Sequence, residues 1–394
     1  MNIFNTNFDY QSRLNKIRKL MDEREIDVML VHFWPNQYYI SGMFQPLPWY
    51  PVENNKHTEM PLIIFRDRME DPIFLITWLT GNGLKEGTWI KDVRLVDKEP
   101  FGKYSWQEYL AEILKEKRVN SGTIGIEEHV CTISTFNKLK SAAPKARFQG
   151  IDDIFQIARM IKEPEEIELI KESVLIAEAS LKAGMETSGV GVLESEINFA
   201  AETEAKRRGA IREVETMCQS GIRTSHHRAM ASNWKRVDKN DLVMIDIGLV
   251  YKGYGSDLTR TWVEGKPTDK QKKITDDLVR AHGKVLDNIR PGVKIWDVLD
   301  SGDNELKKEG YITGAPLPSN SIGVGHVGIH GIGLGPMHDP PHVMEHRETK
   351  LEVGMTLAVS GTARFEDFTI RFEDDVVVVQ GGYELINKLI PWEL

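Results

Sequence analysis

The chain has 394 residues, of which 41% are hydrophobic and 28% are charged, and its formal net charge is −9. This length exceeds the size at which a single hydrophobic core stops growing, so two domains are expected. The negative charge argues against nucleic acid or an anionic membrane surface as a partner. No run of eighteen apolar residues and no apolar leader is present, and Cys131 and Cys218 lack any ligand spacing. These features predict a cytoplasmic protein that neither spans a membrane nor is secreted.

The first part of the chain predicts alternating helices and strands. Helical spacing of apolar residues predicts a helix over 10–25, and two further helices are predicted at 105–117 and 133–142. Short apolar runs predict strands at 27–32, 62–65, 73–78 and 123–126. This alternation predicts an α/β domain over residues 1–160.

A domain boundary is predicted near residue 160, where a new helix begins. Pro164 suits a first helical turn because its missing N–H is not needed there, and Glu165 and Glu166 are favoured at the positive end of the helix dipole. This helix is predicted to end near Gly184. Beyond it, helices are predicted at 192–208, 268–288 and 295–309, and strands at 242–247, 257–263, 355–360, 368–372 and 374–379. Residues 161–394 are therefore predicted to form an α+β domain.

Two aspartates lie on the predicted strands of this second domain. Asp246 interrupts the apolar run VMIDIG, where a buried carboxylate is costly unless its charge is compensated. Asp257 begins the next strand, and both carboxylates converge on one point if the two strands pair. The alternative interpretation is that Asp246 pairs with a buried arginine and Asp257 caps a turn.

A glycine-rich segment supplies three candidate histidines, His326, His330 and His338, in VGHVGIHGIGLGPMHDPPH. Glycine lets the backbone approach an ion closely, and neutral imidazole is the commonest metal-binding side chain near neutral pH. Residues 323–328 formally match GxGxxG, but neither an apolar strand before them nor a helix after them is predicted. A dinucleotide site is therefore not indicated.

Two residues of the segment IRFEDDVVVV, Arg371 and Glu373, lie on the same face of a predicted strand. A buried arginine–glutamate pair would account for both without a metal. Alternatively, Glu373 is a third carboxylate for a hard or borderline divalent ion. Arg371 could then hold a substrate carboxylate in a bidentate pair.

A pair of histidines in the loop-like segment CQSGIRTSHHRAMAS completes the candidates. His226 or His227 could donate a proton or stabilise an oxyanion. The sequence does not decide which of the two faces a site, and either could be a surface residue.

Together these segments resemble the creatinase/prolidase/aminopeptidase P family, which has the pita-bread fold, over nearly the whole chain. The segment VMIDIGLVYKGYGSDLTRTW is similar to the family's aspartate-pair segment, HVGIHGIGLGPMHDPP to its histidine segment, and IRFEDD to its final glutamate motif. The resemblance implies metal-ligand roles for Asp246, Asp257, His330 and Glu373. It also implies substrate or proton-transfer roles for His326 and His338, and a homodimer. The segment QSGIRTSHH is closer to creatinase, which implies a catalytic histidine at 226 or 227.

One position departs from the family pattern. Where the family has glutamate followed by proline, the segment GMTLAVSG has Ser360 and Gly361. The resemblance implies that this glutamate binds the same metal as the histidine, so one ion is expected to be weakened or absent. Glu366 or Asp367 could fold back to replace it, although their spacing does not favour this.

We therefore predict an α/β N-terminal domain and an α+β C-terminal pita-bread domain that form a metal-dependent hydrolase. Its expected substrate is a dipeptide or other small amide, as for an Xaa-Pro dipeptidase or aminopeptidase, and its expected cofactor is one or two Mn, Co, Fe or Zn ions. His226 or His227, and His338, would then stabilise the intermediate and move protons, while Arg371 orients Glu373 or the substrate. The alternatives are a creatinase-like non-peptidase C–N hydrolase or a lyase, with one or no metal, and a non-catalytic binding protein.

Overall fold

The computed structural model describes most of the chain in eight segments, residues 7–43, 60–76, 87–96, 106–225, 230–314, 323–335, 338–343 and 347–388. The chain divides into two compact units, Met1–Ala158 and Arg159–Leu394. None of the helices among these segments is both long enough and apolar enough to cross a bilayer.

The N-terminal unit is built on a mixed sheet. Its described strands are β1 (Val28–Val31), β2 (Leu62–Phe65), β3 (Ile73–Ile76), β4 (Asp92–Leu95), β5 (Thr123–Ile126) and β6 (Arg147–Gly150). They are ordered β4-β3-β2-β1-β5-β6, with β1 antiparallel to β2 and parallel to β5. The described helices are α1 (Tyr10–Glu23), α2 (Trp34–Ser41), α3 (Trp106–Glu116), α4 (Ile133–Ala142) and α5 (Asp152–Arg159).

Strands β1, β2 and β3 are completely buried because both of their faces are apolar. Helix α3 covers one face, and its Leu110, Ile113 and Leu114 pack in the same hydrophobic cluster as the strands. This arrangement agrees with the predicted α/β architecture. Helices α2 and α5 and strands β4 and β6 were not predicted, because their sequences carry little apolar periodicity or are short.

A buried acid, Glu127, organises the start of α2. Its Oε2 accepts hydrogen bonds from the backbone N–H groups of His32 (2.5 Å) and Phe33 (2.7 Å), and its Oε1 accepts one from Nδ2 of Asn36 (2.6 Å). Helix α2 has no side-chain cap of its own. Glu127 therefore supplies the acceptor and the negative charge that favour this helix N-terminus.

The C-terminal unit is built on an antiparallel sheet. Its strands are β7 (Arg212–Ser220), β8 (Leu242–Tyr251), β9 (Tyr254–Val263), β10 (Val324–Gly331), β11 (Thr356–Arg364), β12 (Thr369–Val379) and β13 (Gly382–Leu385). They are ordered β10-β11-β12-β9-β8-β7, with β13 pairing with β12. The described helices are α6 (Pro164–Thr187), α7 (Glu194–Arg207), α8 (Asp269–Asn288) and α9 (Ile295–Lys308), and a short 3-10 helix follows β7.

Strands β8 and β9 form a tight hairpin rather than the predicted pair of short strands joined by a longer loop. The two residues between them, Lys252 and Gly253, both have positive φ, at 49° and 94°. Such a two-residue turn matches the twist of the paired strands. Strand β8 therefore extends to Tyr251 and β9 begins at Tyr254, so most residues of the predicted loop belong to the two strands.

Helices cover one face of the C-terminal sheet. Residues Phe372, Val376 and Val378 of β12 face α8 and α9 in a large hydrophobic cluster with Val359 and Leu278. Helix α6 packs on β8 and β9 and α7 on β7. Because side chains alternate along a strand, the polar residues between these apolar ones point to the opposite face.

Two further strand predictions were incomplete. Segments 368–372 and 374–379 form one continuous strand, β12, because its three consecutive acids 373–375 remain in the ladder opposite β11. Strands β7 and β10 were not predicted. Strand β10 includes several glycines, which weaken the intrinsic strand signal, and its extended conformation depends on pairing with β11.

Candidate metal centre

The polar face of the C-terminal sheet brings the candidate residues into two neighbouring rows. In the first row, Gly328 pairs with Ser360, Ser360 with Glu373, Glu373 with Thr259, and Thr259 with Asp246. Directly opposed residues of antiparallel strands share a face. Thr259 and Glu373, far apart in the chain, are therefore cross-strand neighbours, and a single strand, β9, separates Asp246 from Glu373.

The second row lies two residues along each strand. It pairs His330 with Ala358, Ala358 with Asp375, and Asp257 with Gly248. Since Glu373 opposes Thr259 in antiparallel strands, Asp375 and Asp257 also face each other. The predicted histidine and the second predicted aspartate thus lie next to the row that contains Glu373.

Three side chains converge closely at this point, Asp257, His330 and Glu373. Nε2 of His330 lies 3.3 Å from Oδ2 of Asp257 and 3.5 Å from Oε1 of Glu373. Ligand-type atoms of all three lie within 4.8 Å of one another. This spacing is on the scale of two ligand bonds of about 2.0–2.3 Å each. The other nitrogen of His330, Nδ1, lies 3.2 Å from the carbonyl oxygen of Gly331, an arrangement that leaves Nε2 to the carboxylates.

The burial of these acids leaves three of their oxygens without a hydrogen bond from the described residues, although Arg371 and Thr259 bond the remaining oxygen of Glu373. Asp257 and Glu373 are both 0% exposed. Neither oxygen of Asp257, nor Oε1 of Glu373, accepts a hydrogen bond from the described residues. Ionised carboxylates without partners are costly inside a protein unless a cation compensates them. The donor set therefore fits a divalent metal ion held by Asp257, His330 and Glu373.

The pKa shifts at this point have the same cause. Burial, followed by the neighbouring charge of Glu373, raises the pKa of Asp257. Burial lowers the pKa of His330, but the two carboxylates outweigh it and raise that pKa to about 10. The local excess of negative charge thus favours the protonated imidazole of His330.

The Asp246 end of the site already contains a cation of the protein. Arg371 donates from Nη1 to Oδ2 of Asp246 (2.5 Å) and from Nη2 to Oε2 of Glu373 (2.5 Å). Burial raises the pKa of Asp246 to about 7, against the opposing effect of Arg371. For Glu373, the charge of Arg371 and the contact with His330 outweigh burial and hold the pKa at about 2. Asp246 thus pairs with an arginine, as the alternative interpretation expected, and its predicted role as a metal ligand stays a prediction.

Thr259 and Ser360 flank Glu373 on the neighbouring strands. The hydroxyl of Thr259 donates to Oε2 of Glu373 (3.1 Å), which fixes the carboxylate that Arg371 also binds. Ser360 is 7% exposed, and a Cβ added to Gly328 would lie 2.6 Å from its Oγ. Ser360 thus extends over the space left by Gly328 and presents a hydroxyl, not a carboxylate, beside Glu373.

The remaining candidates differ in how closely they approach this centre. The ring centroid of His338 lies 4.1 Å from that of His330, and His338 is exposed. His326 is four residues before His330 on the same face of β10, opposite Thr362. His326 therefore lies on the polar face of the sheet, and His338 lies beside His330 at the protein surface.

His226 and His227 lie outside the described residues, so their roles stay predictions. The segments that flank them are tied together by the buried carboxylate of Glu194. It accepts hydrogen bonds from the backbone N–H groups of Ser220 (2.7 Å) and Ser232 (2.9 Å).

Sequence reasoning missed Thr259 and Asp375 on this face. Each lies two residues after a predicted ligand, Asp257 or Glu373, and the period of two along a strand is the signal that would have indicated them. Thr259 carries no signal of its own, because a threonine on a strand is ordinary. Asp375 is the last of three consecutive acids, and the sequence alone does not indicate which of them share a role.

Comparison with known protein families finds one family model that matches each of the two units. Residues 168–380 match the model of Metallopeptidase family M24, and residues 13–161 match that of the Creatinase/Prolidase N-terminal domain. The first match alone covers more than half of the chain.

Individual relatives match along nearly their whole length. The Xaa-Pro dipeptidase of Pyrococcus furiosus is 29% identical over 381 residues, which cover 96% of this chain and 98% of that protein. The crystal structure of the prolidase from Pyrococcus horikoshii OT3 superimposes with a TM-score of 0.80 at 28% identity, covering 96% of this chain and 99% of that one. A prolidase from Thermococcus sibiricus has a TM-score of 0.83 at 23% identity, covers 98% of this chain and 100% of that one, and supports the fold alone.

These matches confirm the predicted family resemblance, the predicted two-part fold with a pita-bread C-terminal domain, and the predicted hydrolase class. The chain belongs to metallopeptidase family M24 and carries a creatinase/prolidase N-terminal domain.

Proposed function

We propose that this protein is a metal-dependent hydrolase of the Xaa-Pro dipeptidase type, which cleaves the amide bond before proline in a dipeptide. Residues 161–394 would form the catalytic domain and residues 1–160 the N-terminal domain. The observation that carries the proposal is the cluster of Asp257, His330 and Glu373, in which three buried carboxylate oxygens accept no hydrogen bond from the part of the chain that the structure describes. The Xaa-Pro dipeptidase and prolidase relatives provide the substrate class.

Asp257, His330 and Glu373 would hold one divalent ion. Oxygen-rich sites with a single imidazole accept Mn, Co, Fe or Zn, so the donor set does not select among these. When bound, such an ion polarises the scissile carbonyl and lowers the pKa of water. A single ion is proposed because the guanidinium of Arg371 already supplies the positive charge between Asp246 and Glu373.

The surrounding residues would position this cluster and move protons. Arg371 and Thr259 hold Oε2 of Glu373 and leave its Oε1 directed towards His330. Asp246, on β8, keeps Arg371 of β12 in place across the intervening strand β9. His338, exposed beside His330, is suited to donate a proton to the leaving amine. His326, and either His226 or His227, are proposed to contact the substrate or stabilise the negative charge that develops on its carbonyl oxygen.

We also propose that the protein is a cytoplasmic homodimer. The two cysteines, Cys131 and Cys218, do not form a disulfide with each other, as is usual in a reducing compartment. The dimer follows from the family resemblance. Size-exclusion chromatography with light scattering tests it, and a monomer at micromolar concentration would contradict it.

A second candidate function is favoured by Ser360. This residue offers a hydroxyl beside Glu373 in place of a metal-binding carboxylate. A creatinase-like C–N hydrolase without metal, or a lyase, would not need a carboxylate at this position. A non-catalytic binding protein is less favoured, since an unused cluster of buried carboxylates destabilises a fold.

The test combines metal analysis with a substrate assay. Purified protein is assayed on Xaa-Pro dipeptides before and after chelation, and its Mn, Co, Fe and Zn contents are measured. We expect about one ion per chain, loss of hydrolysis on chelation and recovery with Mn²⁺. Activity that survives complete chelation would rule out the metal mechanism. A metal-loaded protein that cleaves no Xaa-Pro dipeptide would favour the non-peptidase function, and a metal-free, inactive protein the binding function.

A further inference from the structure

Neither of the acids first considered as a replacement for the carboxylate missing at Ser360 is suitably placed. Glu366 and Asp367 lie between β11 and β12, beyond the Arg364–Thr369 pair that ends the ladder. The side chain of Asp367 is 64% exposed and lies 3.7 Å from Nζ of Lys270, and Glu366 is also exposed. Both acids therefore lie at the solvent-facing end of the sheet, beyond Arg364, which is itself four residues from Ser360.

Asp375 is placed differently, because it lies on the same face of β12 as Glu373. Its cross-strand partner on β11 is Ala358, and the partner of Ala358 on β10 is His330. Asp375 and His330 are thus separated by strand β11, which places only the methyl group of Ala358 between them on this face. On the other side, the backbone N–H of Asp257 donates to Oδ2 of Asp375 (3.0 Å). Asp375 is accordingly bounded by two of the three proposed ligands.

The carboxylate of Asp375 is also incompletely satisfied. The residue is 0% exposed, and its Oδ1 accepts no hydrogen bond from any described residue. With both oxygens of Asp257 and Oε1 of Glu373, it completes a set of four buried carboxylate oxygens without a hydrogen bond. A set of this kind is costly unless a cation is present, because each oxygen has lost its water and gained no donor.

We infer that Asp375 is an additional acidic residue of the metal centre and supplies the negative charge that Ser360 does not. Its Oδ2 remains bonded to the backbone of Asp257, and the carboxylate adds negative charge beside the three ligands without belonging to the group whose ligand atoms lie within 4.8 Å of one another. The small side chain of Ala358 leaves room for this carboxylate beside His330. The inference rests on the proposed function, since it requires that Asp257, His330 and Glu373 bind a divalent ion.

The competing role for Asp375 is purely structural, as the acceptor for the N–H of Asp257. Asp375→Asn separates the two roles, because asparagine keeps an oxygen for that N–H and removes the charge. We expect its affinity for Mn²⁺, measured by isothermal titration calorimetry on the full chain, to fall at least about 10-fold. The matched control is Asp303→Asn. Asp303, in α9, is 8% exposed and accepts a hydrogen bond from the backbone N–H of Val327 (3.2 Å). We therefore expect this variant to bind Mn²⁺ like the native chain.

Thermal unfolding with and without Mn²⁺ provides a second measurement that does not depend on activity. Removing an uncompensated buried charge should leave the unfolding temperature of the metal-free protein unchanged or raise it. The increase in unfolding temperature caused by Mn²⁺ should be smaller for Asp375→Asn than for the native chain. A structural role predicts the opposite pattern, namely a lower unfolding temperature without metal and an unchanged increase with Mn²⁺.

A rescue variant completes the test. Ser360→Glu combined with Asp375→Asn should recover the Mn²⁺ affinity lost by Asp375→Asn alone, whereas Ser360→Gln in the same background should not. If Asp375→Asn binds Mn²⁺ as tightly as the native chain, this inference is overturned and the proposed function is not affected. If the native chain binds no Mn²⁺, the proposed metal mechanism fails and the inference fails with it.

Discussion

Buried acids in the two units of this protein have opposite surroundings. Glu127 of the N-terminal unit receives three hydrogen bonds, from two backbone N–H groups and one amide, and both of its oxygens are used. In the C-terminal unit, Asp257 and Glu373 are equally buried but have three oxygens without a hydrogen bond from the described residues. These acids are therefore alike in burial and differ in how many of their oxygens accept a hydrogen bond from the described residues.

Consecutive acids of β12 differ in the residues beside them. Asp374 points to the helix-covered face, where Arg260 Nη2 and Asn387 Nδ2 each donate to its Oδ1 at 2.6 Å, while its Oδ2 accepts no hydrogen bond from the described residues. Glu373 and Asp375 point to the polar face. A shift of one residue along a strand reverses the side on which a carboxylate lies, and here it also changes the kind of partner.

The largest expected effect follows from replacing an acid of the metal centre. Asp257→Asn should reduce Mn²⁺ affinity and kcat/KM on Xaa-Pro dipeptides by more than about 100-fold, the upper end for residues that only orient ligands. Its metal-free form should remain as stable as the native protein, because the carboxylate accepts no hydrogen bond there. Calorimetry, kinetics and urea unfolding measure these quantities. Retention of native metal affinity would remove Asp257 from the metal centre.

A smaller effect, on stability alone, is expected on the opposite face of β12. Asp374→Asn leaves the buried guanidinium of Arg260 without its counter-ion, which should lower the free energy of unfolding by about 3 kcal/mol. Urea unfolding of the metal-free protein measures the loss. The Mn²⁺ affinity of the folded variant should stay within twofold of native, and a large decrease would show that the two faces are not independent.

In the N-terminal unit, Glu127→Ala should lower the free energy of unfolding by about 2 kcal/mol. The N–H groups of His32 and Phe33 and the amide of Asn36 would lose their acceptor while buried. Glu127→Gln keeps one acceptor oxygen and should lose less. Neither variant should change Mn²⁺ affinity. If Glu127→Ala is as stable as the native chain, Glu127 does not stabilise α2 as described.

The smallest effect is expected from adding a carboxylate. Ser360→Glu should raise Mn²⁺ affinity by about 10-fold, because a glutamate there would lie between Gly328, which has no side chain, and Glu373. Ser360→Gln is the control of equal length without charge and should not raise it. An unchanged affinity for Ser360→Glu would show that position 360 does not face the ion.

The sequence could predict most of the chemistry of the site but not how its charges are paired. Asp246 was noticed because it interrupts an apolar run, and His330 because it lies in a glycine-rich segment, whereas the ligand roles of these two and of Asp257 and Glu373 follow from the family resemblance. The pairing of Arg371 with both Asp246 and Glu373 was foreseen only as two separate alternatives. Whether an arginine binds one carboxylate or two depends on the register of β8, β9 and β12, which no local pattern determines.

By itself, the sequence determined the two-part architecture, the family and the residue types of a divalent-metal site, because periodicity and motif spacing are local properties of the chain. It also established that position 360 is a serine. Tertiary structure alone decided that Asp257, His330 and Glu373 converge while Arg371 neutralises Asp246, and that Asp375 shares their face. The physical reason is that these contacts join strands far apart in sequence, and cross-strand register decides which buried charges meet.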